Sequence, residues 1–150
     1  MIFISYSSKQ TERVMKLKGG IDSRQGNRYD TWMSYYNMQG APLQAMGEYL
    51  KKASMVIMCV SSSYEKSEYC LAEASMAMSR NKKRLVLILE EGYDPTRNEI
   101  LDPIVTLPMR IECSTDKMLE NSMEKIFGEI EKGISQRFTL LLLRLNLIFF

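Results

Sequence analysis

The stretch that decides the fold covers residues 58–77 and reads Met-Cys-Val-Ser-Ser-Ser-Tyr-Glu-Lys-Ser-Glu-Tyr-Cys-Leu-Ala-Glu-Ala-Ser-Met-Ala. Its apolar beginning is typical of a buried strand, its serines mark the strand end, and a short polar turn leads into a helix that carries Glu73. Ligand sites in open α/β sheets lie at the carboxyl ends of the strands, so a carboxylate in the following helix can face a crevice there. Residues 2–8 repeat the pattern, because they are also apolar and end in hydroxyl residues.

Length and charge restrict the class of protein. A chain of 150 residues that is 45% hydrophobic can form one domain with a proper core, and it is too short for two. The 20 basic and 18 acidic residues give a net charge of +2, and the basic residues are scattered along the chain. Nucleic acid is therefore not predicted as a partner.

The cysteine and histidine content excludes several kinds of chemistry. Cys59, Cys70 and Cys113 are odd in number and show no C-x-x-C spacing, so neither a disulfide framework nor a zinc site is predicted. The chain has no histidine, which excludes His-dependent triads and the usual histidine metal sites within it. We therefore expect no metal, no cofactor and a reducing, cytoplasmic location.

The two ends of the chain differ in character. No basic segment precedes the first apolar run, so no signal peptide is predicted. Residues 138–150 are strongly apolar, but they fall short of the roughly 20 residues that a spanning helix needs, and they contain Arg144 and Asn146. A helix packed on a hydrophobic face, the stub of a longer segment or a sequence artefact is favoured over a membrane or partner anchor. We expect a domain over residues 1–134, an apolar tail over 135–150, and no membrane partner.

Strand-like and helix-like segments alternate along the chain. The strands are predicted at residues 1–6, 29–33, 55–61, 84–89 and 109–112. Helices are predicted at residues 9–18, where Gly19 and Gly20 give a stop signal, at 43–52, and at 67–80 with Ser67 as N-cap. Apolar residues from Leu119 to Ile134 recur at spacings of three and four, which indicates an amphipathic helix. The alternation predicts an α/β, flavodoxin-like three-layer fold: a five-stranded parallel sheet of order 2-1-3-4-5 with helices on both faces.

Motifs that such a sheet often carries are absent. The sequence contains neither G-x-G-x-x-G nor G-x-x-x-x-G-K-[ST], which argues against the usual dinucleotide and P-loop phosphate sites. A phospho-receiver domain would need an acidic pair after the first strand and an aspartate at the end of the third. Residues 6–8 are Tyr-Ser-Ser and residues 61–63 are three serines, so the receiver interpretation fails on its chemistry.

Three sequence blocks occur in the order and at the spacings of one family. Phe-Ile-Ser-Tyr at residues 3–6 resembles the first box of TIR (Toll/interleukin-1 receptor) domains, which occur in animal multidomain proteins and in bacteria. Trp32 and Met33, followed by Met-Gln-Gly at 38–40, resemble the second strand and the BB loop of that family. Residues 61–73 resemble its run of serine, tyrosine and serine followed by an aromatic-Cys-x-x-Glu block. The chain thus resembles a TIR domain over roughly residues 2–134.

The resemblance implies a candidate catalytic residue. Some TIR domains hydrolyse NAD, and their glutamate lies in the block that Glu73 matches here. Nicotinamide is already a cationic leaving group, so a single carboxylate can suffice if it stabilises the oxocarbenium-like ribose and binds its hydroxyls. Water would then give ADP-ribose, and attack by the substrate's own adenine would give a cyclic product. Without the resemblance, a helix glutamate is usually a solvated surface residue.

The resemblance also implies binding and interface residues, with NAD as substrate and other TIR domains as homotypic partners. Tyr69 lies four residues before Glu73 on the same helical face and can pack against a flat base. The expected substrate-binding set is Tyr6, Ser7, Ser8, Trp32, Gly40, Ser61 and Tyr69. The expected BB-loop interface is Tyr35, Tyr36, Asn37, Met38, Gln39, Gly40, Ala41 and Pro42.

Two functions from different classes remain open at this point. One is an NAD glycohydrolase that uses Glu73 once TIR domains have associated. The other is a non-catalytic module that only scaffolds signalling assemblies of the innate-immune type. Glu73 favours the enzyme, whereas Ser7 and Ser8 favour the scaffold because NAD-cleaving members carry basic residues there.

Overall fold

Five parallel strands form one sheet in a computed structural model that describes residues 1–24, 29–34 and 43–148. The strands are β1 (Ile2–Tyr6), β2 (Thr31–Met33), β3 (Met55–Val60), β4 (Lys83–Ile88) and β5 (Met109–Glu112). Their order is β2-β1-β3-β4-β5, and each neighbouring pair is parallel. The predicted sheet and its order are confirmed, and the strand ends differ from the predicted ones by at most two residues.

Helices cover both faces of this sheet. The helices are α1 (Thr11–Ser23), α2 (Leu43–Lys52), α3 (Ser62–Glu65), α4 (Glu68–Ser79), α5 (Asp102–Val105) and α6 (Asp116–Ile148), with 3-10 turns at Ser8–Gln10 and Pro95–Arg97. One core lies between the sheet and helices α1 and α6, and the other lies between the sheet and helices α2, α4 and α5. Side chains of β1 alternate between them, with Ile2, Ile4 and Tyr6 in the first core and Phe3 in the second.

The central strands are buried on both faces, as predicted for a parallel sheet. Every residue of β1 and β3 is buried, and the middle of β4 is buried as well. By contrast, β5 at the edge buries only Ile111. The apolar runs therefore reflect cover by helices on both sides, since a strand with one solvated face would alternate with polar residues.

The predicted end of α1 was wrong. Gly19 and Gly20 do not stop the helix, which continues to Ser23 and buries Ile21 completely. A Cβ atom at Gly20 would lie 2.6 Å from the methyl carbon of Met123 in α6, so the Met123 thioether occupies the space of the missing side chain. Burial of Ile21 and this contact with α6 outweigh the intrinsic cost of two glycines in a helix.

Serines cap the two helices that follow β3. The predicted N-cap Ser67 is confirmed, because its hydroxyl accepts a hydrogen bond from the Cys70 backbone N–H at 3.2 Å. Ser61 caps the short helix α3 in the same way and accepts from the Tyr64 N–H at 3.2 Å. The sequence predicted only a polar turn there. These caps fix the direction in which α4 leaves the sheet.

Helix α6 is much longer than its predicted amphipathic part. It runs without a break across residues 134 and 135, where the sequence predicted the boundary between the domain and the apolar tail. That boundary stays a prediction. A Cβ atom at Gly133 would lie 3.1 Å from Cγ of Lys83 and 3.3 Å from the sulfur of Met55, so α6 passes the first residues of β3 and β4 at this point. Among the described residues, no helix has both the length and the apolar character to cross a membrane.

Candidate active site

Glu73 lies in the second turn of α4 and points toward the sheet. Its side chain is fully buried, and its Oε2 atom accepts hydrogen bonds from the hydroxyl of Ser5 and, at 3.2 Å, from that of Ser34. Ser5 belongs to β1 and Ser34 directly follows β2. The helix after β3 therefore brings its carboxyl group to the carboxyl ends of β1 and β2. The switch point of a sheet with order 2-1-3-4-5 lies between β1 and β3, so Glu73 lies beside it.

A third hydroxyl extends the hydrogen-bonded group. The Tyr64 hydroxyl lies 2.7 Å from Oγ of Ser5, and both side chains are buried. Ser5 has a single hydroxyl proton and donates it to Glu73, so the Tyr64 hydroxyl donates to Ser5. The result is a chain of donors that runs from Tyr64 through Ser5 to Glu73. Such chains hold a carboxyl group in one orientation.

The other oxygen of Glu73 has no partner. Among the described residues, Oε1 is the one buried side-chain oxygen or nitrogen without a hydrogen bond. An unsatisfied buried polar atom costs about 1–3 kcal/mol, so a site that exists only for stability would avoid it. The atom is available for a hydrogen bond with a group that enters the site, and it accepts that bond when the carboxyl group is ionised.

Burial also changes the charge of Glu73. Loss of hydration raises the pKa of its carboxyl group to about 8, and the hydrogen bonds from Ser5 and Ser34 lower it only partly. Among the described residues, no lysine or arginine contributes to this pKa. The carboxyl group is therefore mostly protonated at pH 7 in this structure. A solvated surface glutamate, the general expectation for a helix, is not what the structure shows.

Two predicted aromatic residues lie on the same side of the sheet as Glu73. Trp32 and Tyr69 are half-buried and pack against the core between the sheet and helices α2, α4 and α5. The Trp32 ring stacks on Tyr49, with ring centroids 4.2 Å apart and an interplanar angle of 18°. Burial, with a further contribution from Glu73, raises the pKa of Tyr69. Tyr69 and Glu73 thus interact electrostatically, as their i, i+4 spacing predicts.

The other predicted substrate-binding residues of the described chain occupy several positions, and their role stays a prediction. Tyr6 packs in the opposite core, with Ile2 and Ile4. Ser7 is buried and Ser8, which is exposed, begins a 3-10 turn. Ser61 is buried and caps α3, and its hydroxyl lies 2.9 Å from that of Ser63.

The predicted interface, residues 35–42 with Gly40, lies outside the described residues. The predicted substrate-binding role of Gly40 therefore stays a prediction, like the interface itself.

Sequence reasoning missed the partners of Glu73. Ser5, Ser34 and Tyr64 were not assigned to the site, although Ser5 and Ser34 gave some signal. Ser5 is a polar residue in a fully apolar strand, and Ser34 stands directly after β2, where ligand-facing groups collect.

A second carboxylate at this edge of the sheet is structural. Oε2 of Glu90, which follows β4, accepts from the backbone N–H and the hydroxyl of Ser62 at 2.8 and 2.6 Å. The hydroxyl hydrogen bond, followed by the backbone one, lowers the pKa of Glu90. In the part of the chain that the structure describes, no group of three acidic, cysteine or histidine side chains could hold a metal ion.

These features define a class: a doubly wound α/β domain with a buried carboxylic acid beside its switch point. The family model described as TIR domain matches residues 2–127. The chain therefore belongs to the TIR domain family, and its sheet is the flavodoxin-like one of that family. It is a TIR signalling module. No curated protein matches the chain.

Proposed function

We propose that this TIR domain cleaves NAD to nicotinamide and ADP-ribose, or to a cyclic ADP-ribose, with Glu73 as the catalytic residue. The observation that carries the proposal is a buried carboxylic acid with no cationic partner and one unpaired oxygen among the described residues. Such a group costs stability, and a purely structural position would do better with an apolar or amide side chain. Groups of this kind concentrate at functional sites.

The chemistry requires no general acid. As the bond between the ribose C1′ and the nicotinamide nitrogen breaks, its electron pair neutralises the pyridinium, and positive charge develops on the ribose. Ionised Glu73 stabilises that charge and accepts hydrogen bonds from the ribose hydroxyls through Oε1, which has no partner among the described residues. Water then adds at C1′ and loses a proton to give ADP-ribose, or an adenine nitrogen adds to give the cyclic product.

The described state is a resting state in this proposal. A mostly neutral carboxyl group gives little electrostatic stabilisation to a cationic ribose, so Glu73 must ionise before it can act. Contact with water and with the positive nicotinamide ribosyl group lowers a carboxyl pKa. Entry of substrate therefore lowers the pKa of Glu73, so that the carboxyl group loses its proton to water and becomes the active carboxylate.

Association with another TIR domain is the event that we propose opens the site. Residues 35–42, the expected interface, follow directly on Ser34, whose hydroxyl donates to Glu73. A partner bound to this segment can thus alter a hydrogen bond of the carboxyl group one residue away. Cysteines 59, 70 and 113 are buried and free, which supports a reducing, cytoplasmic location for this activity.

The test is release of nicotinamide from NAD by concentrated protein. Glu73→Gln keeps the shape of the side chain but cannot ionise, so we expect turnover to fall by at least about 100-fold, the scale seen when one electrostatic stabiliser is lost. Glu68→Gln, in the same helix at an exposed position, is the matched control and should retain full turnover. Equal turnover of Glu73→Gln and wild type would overturn the catalytic assignment.

A scaffold without catalysis is the second candidate. Ser7 and Ser8 stand where NAD-cleaving members carry basic residues, and a serine hydroxyl supplies no positive charge for a substrate pyrophosphate. If the protein associates with itself through residues 35–42 but releases no nicotinamide at any concentration, the scaffold is the correct function.

A further inference from the structure

A basic crevice lies at the edge of the sheet opposite Glu73. It has a volume of about 640 Å³ and is formed where β3, β4 and β5 begin, next to Ser54, Lys83 and Pro108. The lining residues that the structure describes include no aspartate or glutamate. Its basic residues are Arg80, Lys82, Lys83, Arg84 and Arg144.

Among the described residues, no ion pair involves Arg80, Lys83, Arg84 or Arg144 of this crevice. In other parts of the described chain, ion pairs are formed by Arg13, Lys16, Lys18, Arg24, Arg97 and Lys132. Arg80 donates to the Gly47 carbonyl at 2.6 Å and Arg84 to the Ile104 carbonyl at 3.3 Å, which orients them without neutralising them. Burial lowers the pKa of Arg84, as expected for a cation that lacks an anionic partner. The crevice therefore attracts anions.

Helix α6 continues beyond the sheet on the same side. Gly133 marks the point where it passes the first residues of β3 and β4. At a rise of 1.5 Å per residue, the segment from there to Ile148 extends for roughly 22 Å. Leu140 and Arg144 of this segment line the basic crevice. The projecting helix and the crevice thus form one continuous surface.

Residues 140–143 of the projecting segment are four consecutive leucines. Its leucines are between 45% and 61% exposed: Leu140, Leu141, Leu142, Leu143 and Leu145. Consecutive residues of a helix point about 100° apart, so four leucines in a row face all sides of it. A single protein surface would cover only one side of such a helix. Lipid can surround all of it, while a long side chain such as that of Arg144 reaches back to the polar interface.

We infer that the basic crevice and the projecting leucines together bind the surface of a membrane that contains anionic phospholipids. Phosphate headgroups match the crevice cations, and acyl chains match the leucines, so one partner satisfies both features. A free polyphosphate would leave the leucines in water, and a second copy would bring the same positive charge. The contact is peripheral, in keeping with the absence of a spanning helix among the described residues. Glu73 lies at the opposite edge and faces away from the membrane.

The test is sedimentation of the full chain with vesicles. Vesicles of phosphatidylcholine alone are compared with vesicles that contain about 30% phosphatidylserine, at low salt and at high salt. We expect binding to the anionic vesicles, little binding to the neutral ones, and a marked loss at high salt because the charges are screened. This comparison uses wild-type protein and does not depend on NAD cleavage.

Variants test the two halves of the surface separately. Lys83→Glu with Arg144→Glu should weaken binding at least about 10-fold, since each cation near an anionic surface contributes about 1 kcal/mol. Leu141→Gln with Leu142→Gln should weaken it to a similar degree by removing apolar insertion. The matched controls are Lys117→Glu with Lys125→Glu, at exposed positions of the same helix, and Met15→Gln with Ile100→Gln, at exposed apolar positions elsewhere. Both controls should bind as wild type does.

Three outcomes would overturn the inference. The first is equal binding to neutral and anionic vesicles, or none to either. The second is binding of inorganic triphosphate that survives the leucine substitutions without any vesicle binding, which would make the crevice a site for small polyanions. The third is self-association that the leucine substitutions abolish, again without vesicle binding, which would make the helix a contact between copies.

Discussion

Burial of Glu73 opposes its ionisation, and this makes the stability of the fold depend on pH. A carboxyl group with an ordinary pKa near 4.5 in the unfolded chain and about 8 in the folded protein retains its proton more strongly when folded. Its proton therefore stabilises the fold fully below pH 4.5, and this stabilisation is lost as the pH rises through 8. The sign is opposite to that of an aspartate in a salt bridge. The site is thus costly to maintain in its ionised form.

Replacement of Glu73 by glutamine should remove this pH dependence. Between pH 5 and pH 9, wild type should lose on the order of 3–5 kcal/mol more unfolding free energy than Glu73→Gln, because one pKa unit corresponds to about 1.4 kcal/mol. Urea titrations across this range measure the difference. Glu68→Gln, exposed in the same helix, should follow the wild-type curve. Parallel curves for wild type and Glu73→Gln would show that the carboxyl group is not buried and neutral in solution.

Adjacent glycines in α1 show how tertiary contacts decide the limits of an element. Gly19 has open space around a Cβ position, whereas at Gly20 the Met123 methyl group occupies that space. The two glycines predicted the end of the helix at this pair. The helix continues past them because Ile21 is buried in the core. Local sequence signals therefore predicted the N-cap at Ser67 correctly and the helix end at Gly19 wrongly. Only the helix end at Gly19 is opposed by packing against the core.

Alanine at these two positions should have different effects. Gly19→Ala should stabilise the protein by up to about 1 kcal/mol, because alanine restricts the unfolded chain and has a high helix propensity. Gly20→Ala should gain clearly less, since the new methyl group must displace the thioether of Met123. Thermal unfolding of both variants measures the difference. An equal gain at both positions would mean that α1 and α6 do not approach each other as described.

Elements and site were predictable from the sequence to different degrees. The strands were predictable from their apolar runs, because a strand of a parallel sheet that is covered on both faces is apolar along most of its length. Glu73 followed from the family block around it. Its neutral state did not, because it depends on Ser5 and Ser34 from distant segments and on burial that only the assembled fold creates. The exposed leucines of α6 were visible as a run, but only the structure shows that they extend past the sheet beside a basic crevice.

At the scale of the whole molecule, the two edges of the sheet have separate roles in our account. The carboxyl edge holds Glu73 and leads through Ser34 to residues 35–42, and the amino edge holds the basic crevice and the end of α6. A membrane bound at the amino edge would concentrate copies of the protein with their carboxyl edges free. Association through residues 35–42 would then open the Glu73 site.

The most direct test of the account is nicotinamide release per molecule, measured over a dilution series of the wild-type protein with Glu73→Gln as the blank. We predict that turnover per molecule rises steeply with protein concentration and that Gly40→Glu, a bulky charge in the expected interface, lowers both association and turnover. Gly19→Glu is the matched control, since Gly19 is exposed and no atom lies within 4 Å of its Cβ position. Constant turnover per molecule from dilute monomer to concentrated protein would contradict activation by association, and Glu73-independent release would contradict the site itself.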